Sequence, residues 1–185
     1  MSTRALQTFE QFEQFQDDGM KHELLKGEHI VLPPAKSRHS SIQHNLLHLL
    51  WPYVKQHQLG DVRIETGFKL SSDTWLQPDV SFLRSTQIQA ADPDGYLEGS
   101  PALAIEVVSD SDTPARLNLK TELYFTHGSE EVWIVYPNTG TVRIHYPNGS
   151  SQTVAARRVG IRTVSSLVDS RRLFIPRLKS LLSSS

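Results

Sequence analysis

The N-terminal part of the chain has the apolar spacing of a short helix. Its large apolar residues stand three positions apart: Leu6, Phe9, Phe12 and Phe15. Thr8 and Gln11 have the spacing of a capping box at the start of this pattern, and Gly19 follows it. We therefore predict a short amphipathic helix that stops before Gly19.

A hairpin and a longer helix are predicted next. The segment HELLKGEHIVLP reads as two strands that turn at Lys26 and Gly27 and end at the two prolines that follow. Ser40 is then predicted to cap a helix, because apolar residues recur after it at helical spacing: Ile42, Leu46, Leu49 and Tyr53. Pro52 should kink or end this helix, since proline lacks the N–H group of the helical hydrogen bond.

From Asp61 the apolar period changes to two, which is typical of a strand. The alternating residues are Val62, Ile64, Thr66, Phe68 and Leu70. We interpret LQPDVSFL, entered through Pro78, as a second strand. ALAIEVVS, from Ala102 to Ser109, is a third strand, and its almost wholly apolar composition predicts burial on both faces.

The remaining pattern predicts a helix and a C-terminal meander. Thr113 and Pro114 form a helix start, and the helix is expected to run to Gly128. EVWIVYP and TVRIHYP are strands, with turns at PNTG and PNGS. The order helix, three strands, helix, strand predicts an α+β fold, a mixed sheet flanked by helices. With 185 residues, we expect a single domain, residues 1–185.

Composition removes several classes of function. The chain has no cysteine, which excludes disulfides, thiolate zinc sites and cysteine nucleophiles. We find neither a secretory signal pattern nor a stretch of about 18 apolar residues, so we expect a soluble, cytoplasmic protein without a membrane partner. Neither a P-loop nor a GxGxxG motif occurs, which argues against a nucleotide-dependent enzyme.

The net charge of −1 is the sum of two opposed parts. The last thirty residues contain seven Arg and Lys against one acid, Asp169, so they carry +6 and the preceding 155 residues carry −7. The basic C-terminal segment suits a phosphate-binding surface, and it equally suits pairing with the acidic body of the protein.

Glu106 is the most anomalous residue, because it stands at the centre of the most apolar predicted strand. A buried, ionised carboxylate needs a counter-ion, hydrogen bonds or a metal. A structural ion pair or a solvated strand face would also explain it.

Asp79 and Lys120 are weaker signals alone, since Asp after Pro is common in turns and lysine is usually solvated. Together they place an acid on each of two strands and a lysine on the next helix.

These residues lie in segments that resemble a known family. HELLKGEHIVLPP, QPDVSF, ALAIEVVSDSD, LKTELYFTHG and EVWIVYP are similar to the putative restriction endonuclease family often called Uma, within the PD-(D/E)XK phosphodiesterase superfamily. Pro78-Asp79 matches the PD of the motif, and Glu106 matches its second acid. Val108 stands where the superfamily has lysine, but this family has its lysine on the following helix, at the position of Lys120.

The resemblance implies a restriction-endonuclease-like αβββαβ core over residues 22–137. The residue pattern adds to this core an N-terminal helix and hairpin, and a C-terminal meander with a basic tail over residues 138–185. The implied reaction is hydrolysis of DNA phosphodiester bonds. Asp79 and Glu106 would bind Mg²⁺, or Mn²⁺ in its place, and Lys120 would orient the attacking water. A homodimer is also expected, since relatives pair and two sites would suit a double-strand cut.

Glu23 and His39 match further recurrent positions of the family. Glu23 is expected either to bind the metal or a water or to be solvated in its hairpin, and His39 either to contact phosphate or to cap the helix. Two other functions stay open: a catalytically silent DNA-binding protein of this fold, and a non-enzymatic α+β interaction protein with a buried Glu106–Lys120 pair.

Overall fold

Two β-sheets and four helices make up residues 6–15 and 18–155, which are the residues that the structure, a computed structural model, describes. The helices are α1 (Phe9–Phe12), α2 (Ser37–Gln56), α3 (Ser85–Ala90) and α4 (Pro114–Thr126). The strands are β1 (Lys21–Leu25), β2 (Glu28–Leu32), β3 (Gly60–Ile64), β4 (Phe68–Ser71), β5 (Thr74–Leu76), β6 (Val80–Arg84), β7 (Leu97–Glu98), β8 (Leu103–Val107), β9 (Glu131–Tyr136), β10 (Thr141–His145) and β11 (Ser151–Ala155). The basic segment 156–185 lies outside the described residues.

Both sheets are mixed. The five-stranded sheet has the order β2-β1-β5-β4-β7, and the six-stranded sheet has the order β11-β10-β9-β8-β6-β3. Most neighbouring strands are antiparallel, whereas β8 pairs with β9 and β4 pairs with β7 in parallel. The predicted α+β class, with mixed sheets flanked by helices, is therefore confirmed.

The central strand β8 separates two apolar cores. On one face of the six-stranded sheet, Leu46 and Leu50 of α2 pack with Ile105 of β8. On the other face, Ala104 belongs to a core that also contains residues of α4 and of the five-stranded sheet: Leu117, Leu123, Tyr124, Phe68 and Leu76. Because side chains alternate along a strand, Glu106 shares the face of Ala104 and lies between the two sheets.

The prediction of a single strand from Asp61 to Leu70 is wrong. The chain leaves the six-stranded sheet at Ile64 and enters the five-stranded sheet at Phe68. Glu65, between them, has a positive φ of 46°. At Gly67 an added Cβ would lie 1.9 Å from the Trp75 ring, so this crossing requires glycine. The sequence pattern missed the break because the alternation keeps its phase on both sides of it.

The predicted strand LQPDVSFL is likewise two strands in two sheets. Leu76 ends β5 and Val80 begins β6, so residues 77–79 form a second crossing between the sheets. The backbone N–H of Glu65 donates to the carbonyl oxygen of Asp79 at 3.3 Å, which joins the two crossings. Asp79 is thereby held between the sheets, on the side where Glu106 lies.

Two helices differ from their predicted bounds. Helix α1 has the predicted Thr8–Gln11 hydrogen bond, at 3.0 Å, but ends at Phe12. Helix α2 begins at Ser37 and continues through Pro52 to Gln56. Pro52 and His48, whose carbonyl oxygen loses its helical donor, are both exposed, so water can replace the missing bond.

Helix α4 follows its prediction closely. Thr113 Oγ1 accepts a hydrogen bond from the N–H of Arg116 at 3.2 Å, Pro114 is the first helical residue, and Gly128 has a φ of 111° just beyond the end. Lys120 and Tyr124, four residues apart, share one face of this helix and are both buried. No helix among the described residues has the length and apolar character needed to cross a membrane.

Candidate active site

A cavity of about 770 Å³ opens between the ends of the two sheets and the N-terminal ends of α2 and α4. Side chains from six separate parts of the chain meet in it. All five site residues predicted from the sequence line this cavity: Glu23, His39, Asp79, Glu106 and Lys120. The geometry thus brings the predicted set together, whatever role each residue has.

Lys120 lies between two buried carboxylates. Its Nζ is 2.6 Å from Glu106 Oε1, and 2.9 and 3.2 Å from the two carboxylate oxygens of Glu23. The exposed fractions are 1% for Glu23, 5% for Glu106 and 4% for Lys120, so none of the three is solvated. Glu23 also accepts a hydrogen bond from the backbone N–H of Gln77 at 3.1 Å, which fixes its carboxylate against the second crossing.

Tyr124 holds Glu106 from the same helix that carries Lys120. Its hydroxyl donates to Glu106 Oε1 at 2.6 Å, and the side chain is fully buried. Both contacts of Glu106 use Oε1, and Oε2 accepts no hydrogen bond from any described residue. A carboxylate held this way has one oxygen fixed by the protein and the other available on the cavity side.

Asp79 is surrounded by donors. Its Oδ1 accepts from Lys21 Nζ at 2.9 Å, and its Oδ2 accepts from the backbone N–H of Val107 at 2.7 Å. His39 Nε2 lies 3.3 Å from Oδ2. His39 thus contacts this carboxylate. It does not cap the helix, because it is the third residue of α2 and the N-cap residue is Lys36.

The two acids have opposite pKa shifts. Burial alone would raise the pKa of Asp79, but the positive charge of Lys21 and the hydrogen bond from His39 outweigh burial and hold that pKa well below its usual range. Burial dominates at Glu106 and raises its pKa to about 7, even though Lys120 acts in the opposite direction. Two neighbouring carboxyls with separated pKa values are a feature of functional sites.

The pKa shifts of the surrounding bases favour their charged forms. Burial favours the neutral amine of Lys120, but Glu106 and Glu23 outweigh it and hold the pKa of Lys120 above its usual value. Lys21 has a raised pKa because Asp79 outweighs burial in the same way. The hydrogen bond to Asp79 raises the pKa of His39. Each cation is therefore paired with a carboxylate of the cavity.

Besides Tyr124, three residues of this constellation were missed from the sequence. Lys21 contacts Asp79, and Gln43 Nε2 donates to Glu65 Oε1 at 2.9 Å and to Asp79 Oδ1 at 3.4 Å. Strand alternation places Lys21 on the same face as Glu23, and Gln43 interrupts the apolar stripe of α2, so both left a signal. Glu65 left none, because its position depends on the crossing between the sheets.

The donor set fits a hard divalent cation. Mg²⁺ prefers oxygen ligands and is usually bound through one or two carboxylates, with water and substrate phosphate completing its shell. Asp79 and Glu106 supply such carboxylates on one cavity. Within residues 6–15 and 18–155 no group of three or more His, Asp or Glu side chains is arranged to hold a metal ion. A two-carboxylate set therefore leaves the other positions to water and substrate.

Comparisons with known proteins identify the family and a similar fold. The model of a family described as Uma2, putative restriction endonuclease, matches residues 6–169. The fold is similar to the crystal structure of a putative nuclease belonging to DUF820 from Anabaena variabilis ATCC 29413. The TM-score is 0.72 and the sequence identity 20%, and the match covers 80% of this chain and 84% of that chain. A search of curated proteins finds no match.

Proposed function

The chain belongs to the Uma2 family of putative restriction endonucleases, and from this premise we propose that it is a metal-dependent endonuclease that hydrolyses DNA phosphodiester bonds. The observation that carries the proposal is the meeting of Asp79, Glu106 and Lys120 around one cavity. Acids that hold a cation, with a fixed ammonium beside them, suit a phosphoryl centre on which negative charge develops.

The protein side chains have separate roles in this proposal. Asp79 and Glu106 bind Mg²⁺, or Mn²⁺ in its place. When bound, the cation polarises the phosphate and lowers the pKa of a water. Lys120 orients the attacking water and offsets charge on the phosphate. Glu23 and Tyr124 act as positioning residues, because Glu23 holds the ammonium of Lys120 and Tyr124 holds the carboxylate of Glu106.

A non-enzymatic interaction protein is the competing function, and one observation favours it. The Glu106–Lys120 contact, at 2.6 Å and fully buried, is the ion pair that such a protein would use for structure alone. Metal binding separates the two functions, since a purely structural pair has no use for a divalent cation.

We expect Mg²⁺ or Mn²⁺ to raise the melting temperature of the protein. A ligand at about 100 times its Kd adds roughly 2.7 kcal/mol to the free energy of unfolding, which for a chain of this size is roughly 5 to 10 °C. Differential scanning fluorimetry with and without metal measures the shift. Asp79→Ala should remove it, and Asp94→Ala, which changes an exposed acid outside the cavity, should keep it. A shift that survives in Asp79→Ala would contradict the metal assignment.

The direct test is a cleavage assay. Supercoiled plasmid, linear duplex and single-stranded DNA are incubated with the protein and Mg²⁺, Mn²⁺ or EDTA, and the products are separated on gels. Cleavage that requires the metal and disappears with Glu106→Gln and Lys120→Ala is the expected result. Failure with every substrate would favour a DNA-binding protein without activity.

The assembly and location of the protein are further proposals. We propose a single domain that acts as a homodimer in the cytoplasm. The edge position of β11 in the six-stranded sheet of the described residues supports pairing, because it offers a strand with an open side. Two copies would bring two sites to one duplex, as a double-strand cut requires.

A further inference from the structure

The five arginines in the described residues fall into two groups. Arg63 and Arg84 each contact a carboxylate, of Asp61 and Glu130. The other three, Arg38, Arg116 and Arg143, form no ion pair within residues 6–15 and 18–155. Arg38 and Arg116 line the cavity that contains Asp79 and Glu106, whereas Arg143 lies on the exposed face of β10. Two guanidinium groups without an ion pair in the described part of the chain thus lie next to the candidate active site.

Both cavity arginines are oriented by neutral oxygens. Arg38 Nη2 donates to the carbonyl oxygen of Pro137, and its Nη1 donates to Asn138 Oδ1 at 3.3 Å. Arg116 Nη1 donates to the carbonyl oxygen of Ser111 at 3.3 Å. A guanidinium has five N–H donors, so each group keeps donors for a further acceptor while its orientation is already fixed.

The position of these arginines in their helices adds a second argument. Arg38 is the second residue of α2, and Arg116 is the third residue of α4. The first turn of neither helix contains an acid. A helix N-terminus carries partial positive charge, so a cation there is destabilised unless an anion approaches. The cavity entrance at the N-terminal ends of α2 and α4 therefore carries two guanidinium groups that form no ion pair with another described residue.

The acids at the mouth are already engaged. Asp110 Oδ2 pairs with Lys36 Nζ at 2.6 Å, and Asp112 Oδ2 accepts from the backbone N–H and the hydroxyl of Ser109, both at 2.8 Å. Neither acid contacts Arg38 or Arg116. Both guanidinium groups therefore keep donors that an anion from outside can use.

We propose that Arg38 and Arg116 bind backbone phosphates of the DNA next to the phosphate that is cleaved. The inference rests on the proposed function, since it takes the DNA as the occupant of the cavity. Arginine forms paired hydrogen bonds with phosphate oxygens, and such contacts position the strand without reading its sequence. The two arginines thereby hold the backbone over Asp79 and Glu106.

The test measures the salt dependence of DNA binding. A labelled duplex is titrated with protein in EDTA, which prevents cleavage, and fluorescence anisotropy gives Kd between 50 and 200 mM NaCl. Each phosphate contact contributes about 0.9 to the slope of log K against log salt concentration. We expect Arg38→Ala and Arg116→Ala each to reduce the slope by about 0.9, and the double variant by about twice that. Arg38→Lys and Arg116→Lys should keep the slope and bind DNA more weakly, because lysine keeps the charge but lacks the paired N–H donors of a guanidinium group.

Arg143→Ala is the matched control, and it should leave the slope unchanged. Thermal melts of all variants establish that they are folded. The inference would be overturned if the wild type and the double variant had equal slopes, or if the wild type did not bind the duplex. It would also be overturned if Arg143→Ala reduced the slope as much as Arg38→Ala and Arg116→Ala do. Metal-dependent cleavage with unchanged slopes would contradict the phosphate contacts and leave the proposed function intact. Reduced slopes without any cleavage would support the phosphate contacts and contradict the proposed nuclease activity.

Discussion

Replacing Glu106 by glutamine is expected to abolish metal-dependent DNA cleavage and to stabilise the metal-free protein at alkaline pH. Glutamine keeps the shape of the side chain and its hydrogen bond with Tyr124 but removes the negative charge that would bind the cation. Loss of one group that stabilises transition-state charge costs about 100- to 1,000-fold in rate. A rate of plasmid nicking at the background level is therefore the expected outcome.

The gain in stability follows from the pKa of Glu106. Its ordinary value is 4.5, and burial raises it to about 7 in the folded protein. The folded state therefore binds more protons than the unfolded state between these two pH values, and stability falls as the pH rises through this window. At one pKa unit per 1.36 kcal/mol, the ionised group costs on the order of 3 kcal/mol above pH 7. The glutamine variant lacks this cost, so its advantage is absent below pH 4.5 and complete above pH 7.

Urea unfolding in EDTA at pH 5 and pH 8, beside the nicking assay, measures both effects. Glu122→Gln is the control, because Glu122 is exposed on the same helix as Lys120 and should change neither quantity. A Glu106→Gln protein that still cleaves DNA at the wild-type rate would place the active site elsewhere. A variant that is less stable than the wild type at pH 8 would mean that the charge of Glu106 stabilises the fold.

Local pattern was sufficient for three of the elements that carry the site. An acid inside an apolar strand identified Glu106, the Thr113-Pro114 start located α4, and the Lys26-Gly27 turn located the first hairpin. Each of these signals is complete within about fifteen residues, because capping, turns and alternation depend on neighbouring positions. The structure places these elements where the sequence pattern predicted them.

The contacts between elements could not be predicted from local patterns in the sequence. Glu23 and Lys120 are 97 residues apart in the chain, and Lys21 and Asp79 are 58 apart. Their meeting depends on two crossings between sheets, at Glu65–Gly67 and at residues 77–79, and the alternating pattern runs through both without a break. A pattern with period two identifies a strand and one of its faces, but not the sheet to which the strand belongs.

Replacing Lys120 by methionine is expected to be the most destabilising single change at this site. Methionine fills a similar volume but leaves Glu23 and Glu106, both buried, without their shared cation. Removing one member of a buried ion pair costs about 3 to 5 kcal/mol, because the remaining charge stays desolvated. Lys55→Met is the matched control. Lys55 pairs with Asp61 at 2.8 Å on the surface, with 42% of its side chain exposed, and such pairs contribute at most about 1 kcal/mol.

The pH dependence and a double variant show whether the cost arises from the two carboxylates. Without Lys120 the pKa of Glu106 rises further, so this buried carboxyl takes up a proton in the folded state as the pH falls, and the deficit of Lys120→Met at pH 8 should shrink at pH 5. Adding Glu23→Gln to Lys120→Met should restore part of the stability at pH 8, since it removes one of the two unpaired charges. Urea unfolding of the wild type, Lys120→Met, the double variant and Lys55→Met at both pH values gives the eight free energies of unfolding. If Lys120→Met costs no more than Lys55→Met, or if its deficit does not change with pH, then Lys120 does not neutralise the buried acids. The catalytic role proposed for Lys120 would then lose its physical basis, because an ammonium not held by Glu23 and Glu106 has no fixed position beside the phosphate.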